Sequence, residues 1–269
     1  MTESGAGYKL ETRHLTKQFV KRGGERVEVL RDINIGISGG EFVSIVGASG
    51  CGKTTLLRIL DCLIPPSGGE ILIDGRPVVA PGPDRAFVFQ ADSLFPWRTV
   101  RDNVLFGLQV QGGPRQQSLA VAGDLMQLVG LEGFESHYPH EISGGMRQRV
   151  NLARALAVNP AVLLMDEPFA SLDAQTREVM QSELLRIWAA HRKTVVFITH
   201  QIDEAVYLSD RVIIFTARPG RVKHILEIDI PRPRPLSIKR TPQFLSYVDC
   251  IWGAIEEEVM QAMGMRRGR

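Results

Sequence analysis

Residues 41 to 55, Glu-Phe-Val-Ser-Ile-Val-Gly-Ala-Ser-Gly-Cys-Gly-Lys-Thr-Thr, constrain this chain more than any other stretch. Phe42 to Val46 reads as a buried strand, and it runs directly into a glycine-rich turn that ends in Lys-Thr. Gly47, Gly50, Gly52, Lys53 and Thr54 fit the spacing G-x-x-x-x-G-K-[ST]. Glycines let the backbone curl until successive N–H groups face phosphate oxygens, and a helix starting near Lys53 turns the positive end of its dipole to the same place. In such a loop Lys53 reaches the β and γ phosphates of a nucleotide, and the Thr54 hydroxyl ligates Mg²⁺. The candidate binding segment is therefore Gly47, Ala48, Ser49, Gly50, Cys51, Gly52, Lys53, Thr54 and Thr55. The competing explanation is an ordinary glycine-rich turn with a chance Gly-Lys-Thr. Leu56, Leu57, Leu60, Leu63 and Ile64 follow at helical spacing, so the expected helix continues until Pro65-Pro66 stops it.

A chain of 269 residues with 44% hydrophobic content can build a substantial folded core. Its 32 basic and 30 acidic residues leave a net charge of +2, so no global field recommends nucleic acid or an anionic membrane as partner. Cys51, Cys62 and Cys250 form no CxxC pair, which suggests neither a disulfide framework nor a zinc site and fits a reducing compartment. No basic-then-apolar leader opens the chain, and no run approaches the roughly 18 apolar residues of a membrane span. The expected location is cytoplasmic, with any membrane role supplied through other subunits.

Taken in order, residues 8 to 38 alternate short apolar patterns with polar turns and read as a small antiparallel sheet. Phe19, within it, either stacks on a base or packs in the core; the residues leave both open. Glu70 to Ile73 and Ala86 to Phe89 read as strands, the second ending at Gln90, a polar residue where a buried strand closes. Residues 91 to 110 read as irregular and contain the apolar run Leu94-Phe95-Pro96-Trp97, either a partner surface or a self-packed loop. A helix is expected over Gln116 to Leu131. Ser143-Gly144-Gly145-Met146 then opens another, with Ser143 as its cap and a second phosphate-facing N-terminus as the alternative role.

Ala161 to Met165 is a buried-strand run closing on Asp166-Glu167, two adjacent carboxylates at a strand's carboxyl end. Asp166 can hold the Mg²⁺ of a triphosphate there, while Glu167 can orient or deprotonate an attacking water. Val195 to Thr199 is a further strand, and it ends on His200, at the side of a parallel α/β sheet where ligands collect. Val212 to Phe215 is another, followed by a turn at Ala217-Arg218-Pro219-Gly220-Arg221. Pro231-Arg232-Pro233-Arg234-Pro235 marks the end of the main fold. Beyond it, Leu245, Val248, Trp252, Ile255 and Val259 form the expected inner stripe of a docked C-terminal helix.

The ordered set of motifs over residues 8 to 225 resembles the ATP-binding-cassette (ABC) ATPase family. The resemblance implies an α/β fold: a P-loop NTPase (RecA-like) core, an antiparallel β subdomain and an inserted helical subdomain. The implied boundaries are residues 1–230 for the ATPase domain, about 93–157 for its helical part, and 231–269 for a C-terminal helical extension. It maps the adenine-stacking aromatic to Phe19, the phosphate loop to Gly47 through Thr54, the Mg²⁺- and water-sensing glutamine to Gln90 and the signature to Ser143-Gly144-Gly145, followed by Met146. The Mg²⁺ aspartate would be Asp166, the general base Glu167, the dimer-contact aspartate Asp173 and the switch histidine His200. ATP and Mg²⁺ are the implied cofactors.

Pro96-Trp97 with Thr99-Val100 and Asn103-Val104, Met146-Arg147-Gln148-Arg149-Val150, and Ala217-Arg218-Pro219-Gly220-Arg221 resemble the importer subgroup for nitrate, sulfonates, taurine and similar solutes. Arg98 departs from the apolar residue expected after Trp97. By the resemblance two cassettes form a head-to-tail homodimer on the inner face of the membrane. Phe95, Pro96 and Trp97 would meet a permease subunit, and a periplasmic solute-binding protein would act indirectly. An ATPase acting on nucleic acid or in export is the alternative, disfavoured because no zinc module, tandem cassette, coiled coil or fused span is present.

Overall fold

The computed structural model describes residues 7–91 and 93–262. Their element order is β1 (Leu10–Val20), β2 (Arg26–Ile37), β3 (Phe42–Val46), α1 (Lys53–Leu60), β4 (Gly68–Ile73), β5 (Arg76–Pro77), β6 (Arg85–Val88), α2 (Val100–Gln111), α3 (Arg115–Leu128), α4 (Gly144–Ala157), β7 (Val162–Asp166), α5 (Ala174–His191), β8 (Thr194–Ile198), α6 (Ile202–Leu208), β9 (Arg211–Phe215), β10 (Val222–Glu227) and α7 (Pro242–Ala262). The chain forms two compact units, one of Met1–Pro81 with Thr194–Arg269, the other of Gly82–Lys193.

The first unit holds two sheets. The antiparallel one has the order β2-β1-β4-β5 and buries Leu10, Leu15, Ile33, Ile35 and Ile71 on one face, the period-two pattern of a half-buried sheet. In the other, β3 lies parallel between β8 and β9, with β10 antiparallel on β9. All five residues of β3 and of β8 are buried, as strands covered on both faces require. The carboxyl end of β3 delivers the chain to α1, and that of β8 delivers it to His200.

Helix α1 stops at Leu60, short of the expected Ile64. Cys62 takes φ 57°, a left-handed conformation that ends a helix, and the amides of Leu63 and Ile64 turn back to Arg58 O. Leu63 is consequently exposed rather than part of the buried stripe.

Strand β10 and helix α6 are elements that the sequence pattern does not mark. The carboxyl end of α6 is capped from the proline-rich segment: Arg234 donates to Val206 O, Tyr207 O and Ser209 O at 3.1, 3.0 and 2.8 Å, and Arg232 to Leu208 O at 2.6 Å. Burial pulls the Arg234 guanidinium down to about 10, with the charge on Arg232 adding to the shift. The carbonyls a helix leaves unpaired at its end are the partners of both side chains.

Helix α7 docks by a face rotated from the expected one, which keeps Val248 and Ile255 half-buried; the Val259 side chain lies outside the described residues. Phe244, Ile251 and Glu258 are buried, whereas Leu245 and Trp252 are 49% and 62% exposed. Both faces carry apolar residues, so spacing alone could not choose between them.

In the second unit β6 and β7 pair in parallel, Val88 beside Met165, and the chain between them forms α2, α3 and α4, which pack together. Helix α2 replaces the second half of the irregular segment expected over 91 to 110, and the described residues before Val100 are non-helical as expected. Thr99 caps it by accepting from Asp102 N at 3.2 Å, Gly112 closes it in the left-handed conformation, and Val100, Asn103, Val104 and Leu105 are buried.

Candidate nucleotide site

The sequence-predicted residues divide between the units. Phe19, the phosphate loop and His200 belong to the first; Gln90, Ser143 to Met146, Asp166, Glu167 and Asp173 belong to the second.

In the phosphate loop Gly52 caps α1 at φ 107°, and a Cβ there would come within 2.7 Å of Leu30 Cδ2. Glycine is required at this position for conformation and for space. Lys53 is buried, and its ammonium donates to Gly47 O at 2.8 Å and Ala48 O at 3.2 Å, so the side chain curls over its own loop. Cys51 packs beneath it; burial pushes its thiol up against the pull of Lys53, which marks a packed, unreactive cysteine. Thr54 and Thr55 are half-buried on the first turn of α1. Phe19 is 42% exposed at the end of β1, with Lys17 Nζ 4.8 Å above its ring, which removes the core alternative. His200 is exposed just past β8, on a turn fixed by Thr199, whose hydroxyl pairs with buried Glu204 and accepts from Gln201 N at 2.9 Å.

In the second unit, the parallel ends of β6 and β7 bring Gln90 to Glu167: Gln90 Nε2 donates to Glu167 Oε2 at 3.2 Å. Asp166 is buried as the last residue of β7. Glu167 adopts φ 45°, a left-handed conformation that a non-glycine residue takes at a cost of about 1 kcal/mol. Local strain of this kind collects where a side chain must be aimed. Ser143 caps α4 by accepting from Met146 N at 3.3 Å, leaving Ser143 and Gly144 exposed at the helix N-terminus. A Cβ on Gly145 would stand 3.0 Å from Thr176 Cγ2, so the start of α4 lies against the start of α5. Asp173 caps α5, accepting from Thr176 N at 3.0 Å and Thr176 Oγ1 at 2.7 Å, and these bonds hold its carboxyl below the ordinary range.

Residues 30–170 match the profile of the ABC transporter family (ABC_tran). The chain belongs to the ABC transporter family. The cassette is 47% identical over 246 residues to the nitrate import ATP-binding protein NrtD of Synechocystis sp., covering 89% of this chain and 92% of that protein. It is 48% identical over 240 residues to the taurine import ATP-binding protein TauB of Rhizobium johnstonii, covering 87% and 92%. Among solved structures it resembles the dimeric post-hydrolysis state of the ATP-binding cassette MJ0796 bound to ADP and Pi, with TM-score 0.73 and 34% identity over 82% of this chain and all of that one. The cassette is an ATPase with the α/β fold of that family.

The donors present fit the family's cofactors. A glycine-rich turn entering a helix, with a lysine on its first turn, suits a polyphosphate. Within the second unit, buried Asp166 and the nearby Gln90 offer oxygen atoms of the hard kind that Mg²⁺ prefers.

The apolar loop is only partly a free surface. Leu94 is buried, Phe95 packs edge-to-face on Phe106 at 4.6 Å between centroids, and Trp97 stands 72% exposed. Arg98, the departure from the family pattern, lies over the Phe95 and Phe106 rings at 5.6 and 4.9 Å and donates to Gln109 Oε1. Fully buried Asn103 fixes this arrangement: it accepts from Phe95 N at 2.8 Å and donates to Phe95 O, Arg98 O and Thr99 O at 3.2, 3.1 and 2.9 Å. In the sequence Asn103 stands only as a mark of the importer subgroup. The signal available for it is an amide between the apolar Val100 and Val104, where a buried side chain needs local backbone to bind.

Proposed function

We propose that this cassette hydrolyses ATP to drive import of a small solute of the nitrate, sulfonate or taurine class through separate permease subunits. The observation that carries this reading is the Gln90–Glu167 pair beside buried Asp166 at the ends of two parallel strands, with Glu167 held in a strained conformation. Two acids so close together with different burial suit different tasks. Buried Asp166 suits a metal ligand, whereas half-buried Glu167 suits a base that water can reach.

Bound ATP with Mg²⁺ supplies the phosphoryl group and neutralises its charge. Lys53 and the amides of Gly47 to Thr55 hold the β and γ phosphates, and Phe19 offers its exposed ring to adenine. Thr54, Gln90 and Asp166 would hold the metal, Glu167 would take the proton of the water that attacks the γ-phosphate as ADP leaves, and Gln90 and His200 would orient that water and the γ-phosphate. Ser143, Gly144, Gly145 and Met146 present the amino end of α4 to the γ-phosphate of a second copy, where Asp173 also makes contact, in a head-to-tail homodimer. The exposed Trp97, with Phe95 and Pro96, meets the permease at the inner face of the membrane, and a periplasmic solute-binding protein delivers the solute. No helix among the described residues is long and apolar enough to cross a membrane. The proposed ATPase domain is residues 1–230, its helical part about 93–157, and residues 231–269 an extension.

Glu167→Gln tests the dimer. It should bind ATP without hydrolysing it and elute as a dimer in size-exclusion chromatography with light scattering, and adding Ser143→Arg or withholding Mg²⁺ should return the monomer. A Glu167→Gln chain that stays monomeric in Mg-ATP, with its permease subunits present, removes the head-to-tail arrangement.

A further inference from the structure

We propose that Glu258, on the C-terminal helix α7, is a positioning residue for the phosphate loop, acting through the β9–β10 turn that backs it. The proposal rests on the nucleotide-site reading above.

The turn and the loop touch main chain to main chain. A Cβ on Gly220 would lie 2.2 Å from the carbonyl oxygen of Cys51 and 3.3 Å from Leu30 Cδ2 and Phe215 Cδ2, so only a glycine lets the two backbones approach this closely. On its near side the turn is fixed by backbone bonds, Gly220 N to Val29 O at 2.9 Å and Arg31 N to Gly220 O at 3.0 Å. Thr216 ties it internally, accepting from Arg221 N at 3.0 Å.

The far side is held by α7. Ala217 N–H donates to Glu258 Oε2 at 2.8 Å, and Lys223 Nζ pairs with Glu258 Oε1 at 2.9 Å, so one buried carboxylate bridges the two sides of the turn. Lys223 also donates to Ala254 O at 3.0 Å and pairs with Glu257 at 2.9 Å. Burial pulls the Lys223 ammonium down, but Glu257 and Glu258 together hold it above the ordinary lysine range. Both oxygens of Glu258 are therefore engaged by groups that remain donors throughout the physiological range. Amide recognition of phosphate tolerates displacements of only about 0.5 Å. A turn released on its α7 side gives the Cys51 segment that freedom.

The test uses the full chain and compares Glu258→Ala, Glu258→Gln, Gly220→Ala, Lys53→Ala and Trp252→Ala by calorimetric Mg-ATP binding, steady-state ATPase and thermal melting. Glu258→Ala should raise Kd and KM for ATP by about tenfold, the loss of one charge-assisted bond, with kcat at saturating ATP within about twofold. Glu258→Gln keeps an acceptor for Ala217 and should recover most of the affinity. Gly220→Ala should weaken ATP binding more than Glu258→Ala, and Trp252→Ala, on the exposed face of α7, should change nothing. A Glu258→Ala chain that melts earlier with unchanged KM makes the contact structural only and overturns the proposal. Should that variant fail to fold, Lys223→Met carries the test, with a raised KM supporting the brace and an unchanged KM overturning it. Wild-type ATP affinity in Lys53→Ala would instead refute the nucleotide site itself, which separates the two failures.

Discussion

In the phosphate loop as proposed, main-chain amides join the Lys53 ammonium in facing the nucleotide, and the surrounding positions are selected for what they leave out: Gly52 because Leu30 fills the space, Gly220 because the Cys51 carbonyl does. At the ends of β6 and β7 the reverse holds. There the proposed chemistry belongs to side chains, Gln90, Asp166 and Glu167, and the backbone serves to aim them, to the point of placing Glu167 in a left-handed conformation. A site made of backbone needs a fixed run of small residues and so leaves a contiguous motif. A site made of side chains needs one or two residues at each of several strand ends, and each is ordinary by itself.

The contrast predicts that side-chain changes at the strand ends act on rate, whereas changes at the loop act on affinity. The largest effect is expected for Glu167→Gln, which keeps the bond to Gln90 but removes the base; phosphate release should fall by about 10²–10⁴-fold with ATP affinity preserved. A wild-type rate would take the base role from Glu167. Next comes Lys53→Ala, which removes charge-assisted phosphate contacts of roughly 1.5–3 kcal/mol and should weaken ATP binding by about one to two orders of magnitude in titration calorimetry. Loss of rate at full affinity there would erase the distinction between the two regions.

Smaller effects sharpen it within the second unit. Asn103→Ala strands the Phe95, Arg98 and Thr99 groups that it binds and should cost about 1–3 kcal/mol in denaturant unfolding, whereas Trp97→Ala should leave stability and basal ATPase activity unchanged and impair co-purification with permease subunits. If Trp97→Ala unfolds the chain, the ring is core and not contact.

The smallest expected effect concerns Asp173, whose carboxyl the Thr176 bonds hold below the ordinary range. The unfolded carboxyl binds its proton more readily, so the cap contributes fully above the unfolded pKa and its contribution is lost as pH falls through the lower folded value. The melting-temperature difference between wild type and Asp173→Asn, which caps without titrating, should therefore shrink as pH drops below about 4. A pH-independent difference would mean that the carboxylate charge plays no part.

The sequence by itself determined the parts whose physics is local. Five apolar residues before Gly47 made β3, the glycine spacing made the phosphate loop, and Ser143 and Asp173 capped α4 and α5 because a short side-chain oxygen before a helix has amides to accept from. It also placed Gln90, Asp166, Glu167 and His200 at strand ends, since runs of buried-strand length end where polarity begins.

Tertiary structure decided the rest. Which face of α7 turns inward depended on what Glu258 and Phe244 could reach, because Leu245 and Trp252 are as apolar as the residues that were buried. Helix α2 formed from a stretch with weak periodicity because Asn103 could satisfy the loop before it. Arg232 and Arg234 became caps for α6 only once that helix ended beside them. Long-range partners of this kind leave no spacing to read. Each is a polar group whose burial is tolerated solely because a distant segment arrives with the complementary donor or acceptor.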